Sequence, residues 1–159
     1  MTDWATWEPG VRANLLFILR EEKILLIRKK RGFGAGKING PGGKIEPGET
    51  ALESALRETF EELGIRPRGA EQHGELHFQF RDGFSLHCAV FRADDYEGEP
   101  RETDEAIPLW TPLDQIPYDE MWADDRHWLP LLIRGAHFDG YFEFDGEELL
   151  HRKIIVRES

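Results

Sequence analysis

The sequence predicts an α+β domain, an α/β/α sandwich with a central mixed sheet and two main helices. Three observations predict it. Residues 50–63 and 119–134 carry apolar side chains at helical spacing. Several other runs alternate or stay apolar over strand lengths. The two kinds of segment are interspersed rather than segregated, which calls for a sheet with helices packed on it.

Taken in order, residues 1–10 hold Trp4, Trp7 and Pro9-Gly10, and read either as a segment docked on the domain or as a flexible N-terminal extension of a single domain spanning 1–159. Residues 12–20 and 23–30 read as a hairpin turning at Glu21-Glu22. The basic run Arg28–Arg31 and a glycine-rich loop follow, without the spacing of a P-loop. Residues 70–80 and 84–92 form a second hairpin around Asp82-Gly83. An acidic loop at 93–105 precedes a short stretch at 106–110, in which Pro108 implies an edge or irregular strand. Two prolines make 111–118 a turn-rich connection. A second helix at 119–134 contains Pro130, and 138–144 with 149–156 complete a last hairpin around Asp145-Gly146.

Composition narrows the function. With 20 basic and 31 acidic residues the net charge is −11, which disfavours binding to nucleic acid polymers. No apolar run approaches membrane-spanning length, and the N-terminus lacks the basic and apolar regions of a signal peptide. The single cysteine, Cys88, lies in an apolar run and reads as a buried thiol in a reducing compartment. The expectation is a soluble cytoplasmic monomer.

Chemistry concentrates between Gly43 and Ile65. Leu52, Ala55, Leu56, Thr59, Phe60 and Leu63 recur on one helix face. Thr50 with Glu53 forms a capping box, and Gly64 followed by Pro67 ends the helix. Glu58, Glu61 and Glu62 then share another side. Like charges at this spacing repel, so a solvated face explains them poorly. A hard divalent cation such as Mg²⁺ resolves the conflict. Arg57 can orient a neighbouring carboxylate, and Gly40–Gly43 lets backbone approach a ligand closely.

The spacing Gly43, Glu49, Arg57-Glu58, Glu61-Glu62, Gly64-Ile65 resembles the Nudix box of the Nudix hydrolases, with Thr59 where a bulky aliphatic is usual. A second constellation, Met121-Trp122-Ala123-Asp124-Asp125, offers an indole wall and paired carboxylates for a base. Helix capping by the aspartates and burial of Trp122 in the core is the plainer alternative. The segments 29–50, 113–125 and 138–144 extend the resemblance to the branch of the family that hydrolyses oxidised purine nucleoside triphosphates.

That resemblance implies the Nudix fold, Mg²⁺ (with Mn²⁺ as a substitute), and hydrolysis of 8-oxo-dGTP, and of 2-hydroxy-dATP, to monophosphate and pyrophosphate. It implies metal contacts at the Gly42 carbonyl, Glu58, Glu61, Glu62 and Glu105, and phosphate contacts along Pro41, Gly42, Gly43 and Lys44. It implies a base pocket of Asn14, Lys29, Asn39, Phe78, Trp122, Asp124 and Asp125. Glu61, Glu62 and Glu105 are the candidate general bases, with Glu58 and Arg57 beside them. Ile38 and Pro41 stand where those relatives carry aromatics, Asn14 stands where they carry a threonine, and residues 81–86 align poorly, with Phe84 and Leu86 placed to reshape the pocket. Two other readings compete: a Nudix hydrolase of another nucleoside diphosphate derivative (ADP-ribose, a dinucleoside polyphosphate, an ordinary dNTP), and a nucleotide-sensing module without turnover.

Overall fold

The first strand, β1 (Val11–Arg20), borders both halves of the sheet. In the computed structural model, which describes residues 1–157, it is followed by β2 (Lys23–Lys29), β3 (Ile38–Asn39) and α1 (Ala51–Leu63). Then come β4 (Arg66–Arg68), β5 (Glu71–Phe80), β6 (Ser85–Ala93), β7 (Asp95–Glu97) and β8 (Ala106–Pro112). A 3₁₀ turn (Tyr118–Glu120), α2 (Asp125–Ile133), β9 (His137–Asp145) and β10 (Glu148–Arg157) complete the chain.

The sheet order is β10-β9-β5-β6-β1-β2-β3, with β8 on the other edge of β2 and a separate β4-β7 ribbon. The β1–β6 and β5–β9 pairs are parallel and the others antiparallel, so the sheet is mixed as the sequence implies. Side chains of β1 alternate between two cores. Phe17 and Leu19 join Trp128, Leu129, Phe138 and Phe142 on the α2 side. Leu16 and Ile18 join Ala55, Leu63, Ile65 and Phe91 on the α1 side.

Strands β1 and β2 pair only at Leu19–Ile24 and Arg20–Lys23, then splay apart. The opened edge of β1 is filled by the loop before α1. Leu16 N–H donates to the Pro41 carbonyl (2.9 Å), Asn14 N–H to Gly43 (3.0 Å), and Ile45 N–H to Arg12 (3.0 Å). This satisfies backbone groups that a splayed strand would leave unpaired and fixes residues 41–45 against the sheet.

The hairpins around Asp82-Gly83 and Asp145-Gly146 form where the turn residues place them, and β8 is an edge strand. Thr111 and Pro112 extend β8 into the stretch read as a turn-rich connection. The short strands β3, β4 and β7 carry no periodic signal of their own.

Helix α1 begins and ends as its caps dictate. Glu53 N–H donates to Thr50 Oγ1 (3.1 Å), Thr50 N–H donates to Glu53 Oε1 (2.8 Å), and Gly64 closes the helix at φ 78°. Its buried face departs from the apolar stripe. Ser54, Ala55, Thr59, Glu62 and Leu63 are buried, whereas Leu52 and Phe60 are exposed. Small side chains allow the helix to pack closely, and the Thr59 hydroxyl is satisfied within it by the Ala55 carbonyl (2.7 Å). Phe60 is covered from outside by the Arg66 guanidinium, 4.1 Å above its ring.

The second helix is shorter than expected. Residues 119–134 divide into the 3₁₀ turn, an extended Met121 at φ −113°, ψ 174°, and α2 from Asp125. Met121 and the Asp124-Asp125 pair are buried on either side of this break. Pro130 lies inside α2 on its exposed side.

Residues 1–10 dock across the sheet face formed by β5, β6 and β9. Trp7 Nε1 donates to Gln79 (2.8 Å), Gly10 N–H to Ser85 Oγ (2.7 Å), and Thr2 N–H to Glu143. Trp4 packs edge-on against Tyr141, with ring centroids 5.2 Å apart. Among the described residues no helix is long and apolar enough to cross a membrane.

The β1–β2 turn is strained. Glu21 and Glu22 both adopt positive φ, 54° and 64°, a conformation that Asn-Gly tolerates and most side chains resist. Replacing Glu21-Glu22 by Asn-Gly should raise unfolding stability by about 1 kcal/mol. Urea titration checks this, with the midpoint rising at unchanged slope.

Candidate active site

Two groups of side chains meet at the loop 41–45. The first is the acidic side of α1. Arg57 donates to Glu49 (2.6 and 2.9 Å), Glu58 (3.0 Å), Glu61 (3.1 Å) and the Lys44 carbonyl (3.3 Å). The guanidinium holds Glu49 down to about 2, and these partners raise the pKa of Arg57 itself. One cation thus fixes the loop, the start of the box and two of its glutamates.

Glu62 is the exception. It lies on the buried face, 3% exposed, where Gly42 N–H donates to its Oε1 (2.8 Å). Burial, opposed by that hydrogen bond and reinforced by the charge of Glu58, pushes its carboxyl up to about 8. Burial also raises Glu58, to which the charges of Glu61 and Glu105 add. Glu105 is brought in by its loop: Arg101 N–H and Thr103 Oγ1 donate to the carbonyls of Leu63 and Glu62 (2.9 and 2.8 Å). Glu105 pairs with Arg31 at 3.2 Å.

The glycines set the spacing. A Cβ on Gly42, whose φ is 153°, would lie 2.1 Å from the Asn14 carbonyl oxygen. One on Gly43 would lie 2.6 Å from the Glu58 carboxyl carbon. Among the described residues no three acidic, histidine or cysteine side chains converge closely enough to hold a metal as they stand. The reason is visible in the partners: Glu58 and Glu61 are turned onto Arg57, and Glu105 onto Arg31. The donor set still suits a hard cation, because the negative charge of Glu105 bears on both Glu58 and Glu62, and that of Glu58 on Glu62.

The second group lines a cavity of about 220 Å³. Of the residues named from the sequence, Asn14, Lys29, Asn39, Gly42, Gly43, Lys44, Phe78, Trp122, Asp124 and Asp125 all contribute to its wall. Pro41 does not; its carbonyl is committed to β1, so its part is to anchor the loop. Lys29 Nζ donates to the Phe33 carbonyl (2.7 Å), and its charge reaches Glu62, linking cavity and carboxylates.

Trp122 is a cavity wall, not core. Phe33 stacks on it at 5.2 Å and 4°, Phe84 continues the stack at 5.5 Å, and Phe80 meets Trp122 edge-on. Phe33 and Phe80 were missed in the sequence, whereas Phe84 was noted there as shaping the pocket. Phe80 was findable, two residues from Phe78 on the same strand face, whereas Phe33 sits in a glycine loop with no periodicity.

Asp124 and Asp125 are both buried. Asp124 makes no capping bond; it accepts from Trp128 Nε1 (2.7 Å) instead. Burial raises both carboxyls, and the charge of Asp124 raises Asp125 further, so the pair retains a proton where lone aspartates would not. Three buried side-chain polar atoms among the described residues lack any partner: Asn14 Oδ1, Asp125 Oδ2 and His137 Nδ1. The first two belong to residues of this cavity wall. An unpaired buried polar atom costs about 1–3 kcal/mol, and two of the three fall on residues of this one wall.

The NUDIX domain family profile matches residues 9–132. The chain belongs to the Nudix family of hydrolases. It is 44% identical over 138 residues to the oxidized purine nucleoside triphosphate hydrolase of Danio rerio, covering 86% of this chain and 88% of that one. The protein of the same name from Mus musculus is 40% identical with the same coverage. A crystal structure of the MutT protein from Bacillus halodurans superposes with a TM-score of 0.81 at 27% identity, covering 91% of this chain and 97% of that one. The Nudix fold expected from the sequence is therefore the fold observed.

Glu62 makes stability of the metal-free Nudix domain pH-dependent. Its folded pKa is raised, so between about 4.5 and 8 the folded state binds more protons than the unfolded one. Stability contributed by this group is present at low pH and lost as pH rises through that window. In EDTA, Glu62→Gln should gain roughly 2–4 kcal/mol on wild type between pH 5 and pH 8.5. Denaturant titrations at the two pH values read this directly, and Asp124 and Asp125 cancel in the comparison.

Proposed function

We propose that this enzyme hydrolyses oxidised purine nucleoside triphosphates, 8-oxo-dGTP foremost and 2-hydroxy-dATP second, to the monophosphate and pyrophosphate, and so cleanses the nucleotide pool. The carrying observation is the pair of unpartnered polar atoms, Asn14 Oδ1 and Asp125 Oδ2, in one aromatic cavity beside the Nudix glutamates. The names of the zebrafish and mouse relatives support the same substrate class. A buried free thiol, Cys88, fits a monomer working in the reducing cytoplasm.

The base packs against the aromatic wall of Trp122 and the phenylalanines. The aspartate pair holds one proton there, so it presents one acceptor and one donor to the purine edge. Oxidation changes which ring nitrogens of a purine carry hydrogen, and a buried pair of this kind responds strongly to that change. Asn39 uses its Oδ1 on Gly40 N–H (2.8 Å), which leaves its Nδ2 to donate. The triphosphate runs along Gly42–Lys44, where Lys29 and Lys44 oppose its charge locally in an acidic protein.

The Gly42 carbonyl, Glu58, Glu61, Glu62 and Glu105 would hold Mg²⁺, or Mn²⁺ in its place. Such an ion would offset phosphate charge and make a water molecule more acidic. Glu62 has a free Oε2 and the most raised carboxyl of the group, and is our first choice to accept the proton of the attacking water, ahead of Glu61 and Glu105.

With Mg²⁺ present, kcat/KM for 8-oxo-dGTP should exceed that for dGTP by about a hundredfold or more, with pyrophosphate released. Chromatographic product analysis at low micromolar substrate tests it. Equal rates would discard the substrate assignment and direct attention to ADP-ribose and dinucleoside polyphosphates. Glu61→Gln and Glu62→Gln should each lower kcat by two or more orders of magnitude, roughly, with the fold retained. Undiminished turnover in both would refute the placement of the metal.

A further inference from the structure

Asn14 occupies a position that the mixed sheet makes unusual. It lies on β1, 1% exposed, opposite the loop 41–45 and in the wall of the cavity. An asparagine amide has two ends, and the surroundings of Asn14 determine which faces where. Its Nδ2 lies 2.8 Å from Ser54 Oγ, and Ser54 Oγ lies 3.1 Å from the Lys44 carbonyl oxygen. The Lys44 carbonyl and the Glu49 carboxylate beside Ser54 only accept, so the single hydroxyl hydrogen of Ser54 goes to one of them. Ser54 is then left with lone pairs toward Asn14, and Asn14 has to offer it N–H. Flipping the amide would set two acceptors against each other inside a buried site. The amide is therefore locked, and Oδ1 is the end without a partner.

We propose that Asn14 is a specificity-determining residue of this chain, whose locked Oδ1 admits nucleotides that present a hydrogen-bond donor at the junction of base and phosphate subsites. Ser54 is its positioning residue. Two donors fit that place: a hydroxyl of the sugar, and the N7–H that oxidation at C8 creates on guanine. The proposal rests on the nucleotide reading above, but extends it, because a threonine at this position would rotate its hydroxyl to suit either a donor or an acceptor. A locked carboxamide oxygen accepts only. A nucleotide lacking the donor leaves Oδ1 unpaired and sets a lone pair against it, the arrangement that gives strong rejection.

Binding of nucleoside monophosphates in EDTA tests this without recourse to turnover. Titration calorimetry would compare wild type, Asn14→Leu and Ser54→Ala against 8-oxo-dGMP, dGMP and 8-oxo-2′,3′-dideoxyguanosine monophosphate. The proposal expects Asn14→Leu to lose about tenfold or more in affinity, selectively. Loss for 8-oxo-dGMP and dGMP but not the dideoxy ligand identifies the sugar hydroxyl as donor. Loss for both 8-oxo ligands but not dGMP identifies N7–H. Ser54→Ala should reproduce whichever pattern appears, more weakly, and decides the matter should Asn14→Leu not fold. A purely structural role would weaken all three ligands alike; that result, or no change in any, overturns the proposal. The wild-type ratio of 8-oxo-dGMP to dGMP reports separately on the substrate reading, so the two ideas fail independently.

Discussion

The short backbone ladder between β1 and residues 41–45 is the constraint on which the site depends. It exists because β1 and β2 part after two residue pairs, leaving β1 with an open edge. Hydrogen bonds at Arg12, Asn14 and Leu16 close that edge with the loop itself. Gly42 and Gly43 are thereby pressed against Asn14 on one side and Glu58 on the other, with no room for a side chain. Arg57 completes the assembly by gripping the loop at the Lys44 carbonyl and the helix at its carboxylates. Sheet, loop and helix hold one another, so the acidic cluster has little freedom except in the rotamers of Glu58, Glu61 and Glu105.

Much of this could be read in the sequence because it rests on local rules. The capping box at Thr50 and the left-handed Gly64 set the ends of α1 within a residue. The charged spacing identified the acidic helix, and turn residues placed the hairpins. The orientation of α1 about its axis was not legible. Leu52 and Phe60 dominate its hydrophobic pattern, yet small residues face the sheet, because close packing rewards shape over hydrophobicity. Rotation toward Ala55 and Thr59 carried Glu62 into the interior, and no periodicity argument anticipates a buried carboxylate.

The break before α2 is a second case. Residues 119–134 carry enough apolar side chains at helical spacing to read as one helix. The chain instead leaves helical geometry at the extended Met121, and Met121 packs in the core, Trp122 on the cavity, and Asp124 against the indole of Trp128. The ten named residues of the cavity wall come from five separate stretches of chain. Their meeting was expected from family likeness; the physical pattern of any one stretch does not reveal it. The place of Phe33 in the aromatic stack was beyond both.

The docked N-terminus bears on how the chain reaches this state. Thr2 contacts Glu143 across 141 positions of sequence, and Trp7 and Gly10 reach Gln79 and Ser85 across 72 and 75. Each contact requires a surface that exists only after β5, β6 and β9 have assembled, and closing such long loops early carries an entropic cost with nothing to offset it. Residues 1–10 are in this sense the last to find their place. They act as a latch on the finished sheet, so interactions made there slow unfolding rather than speed folding.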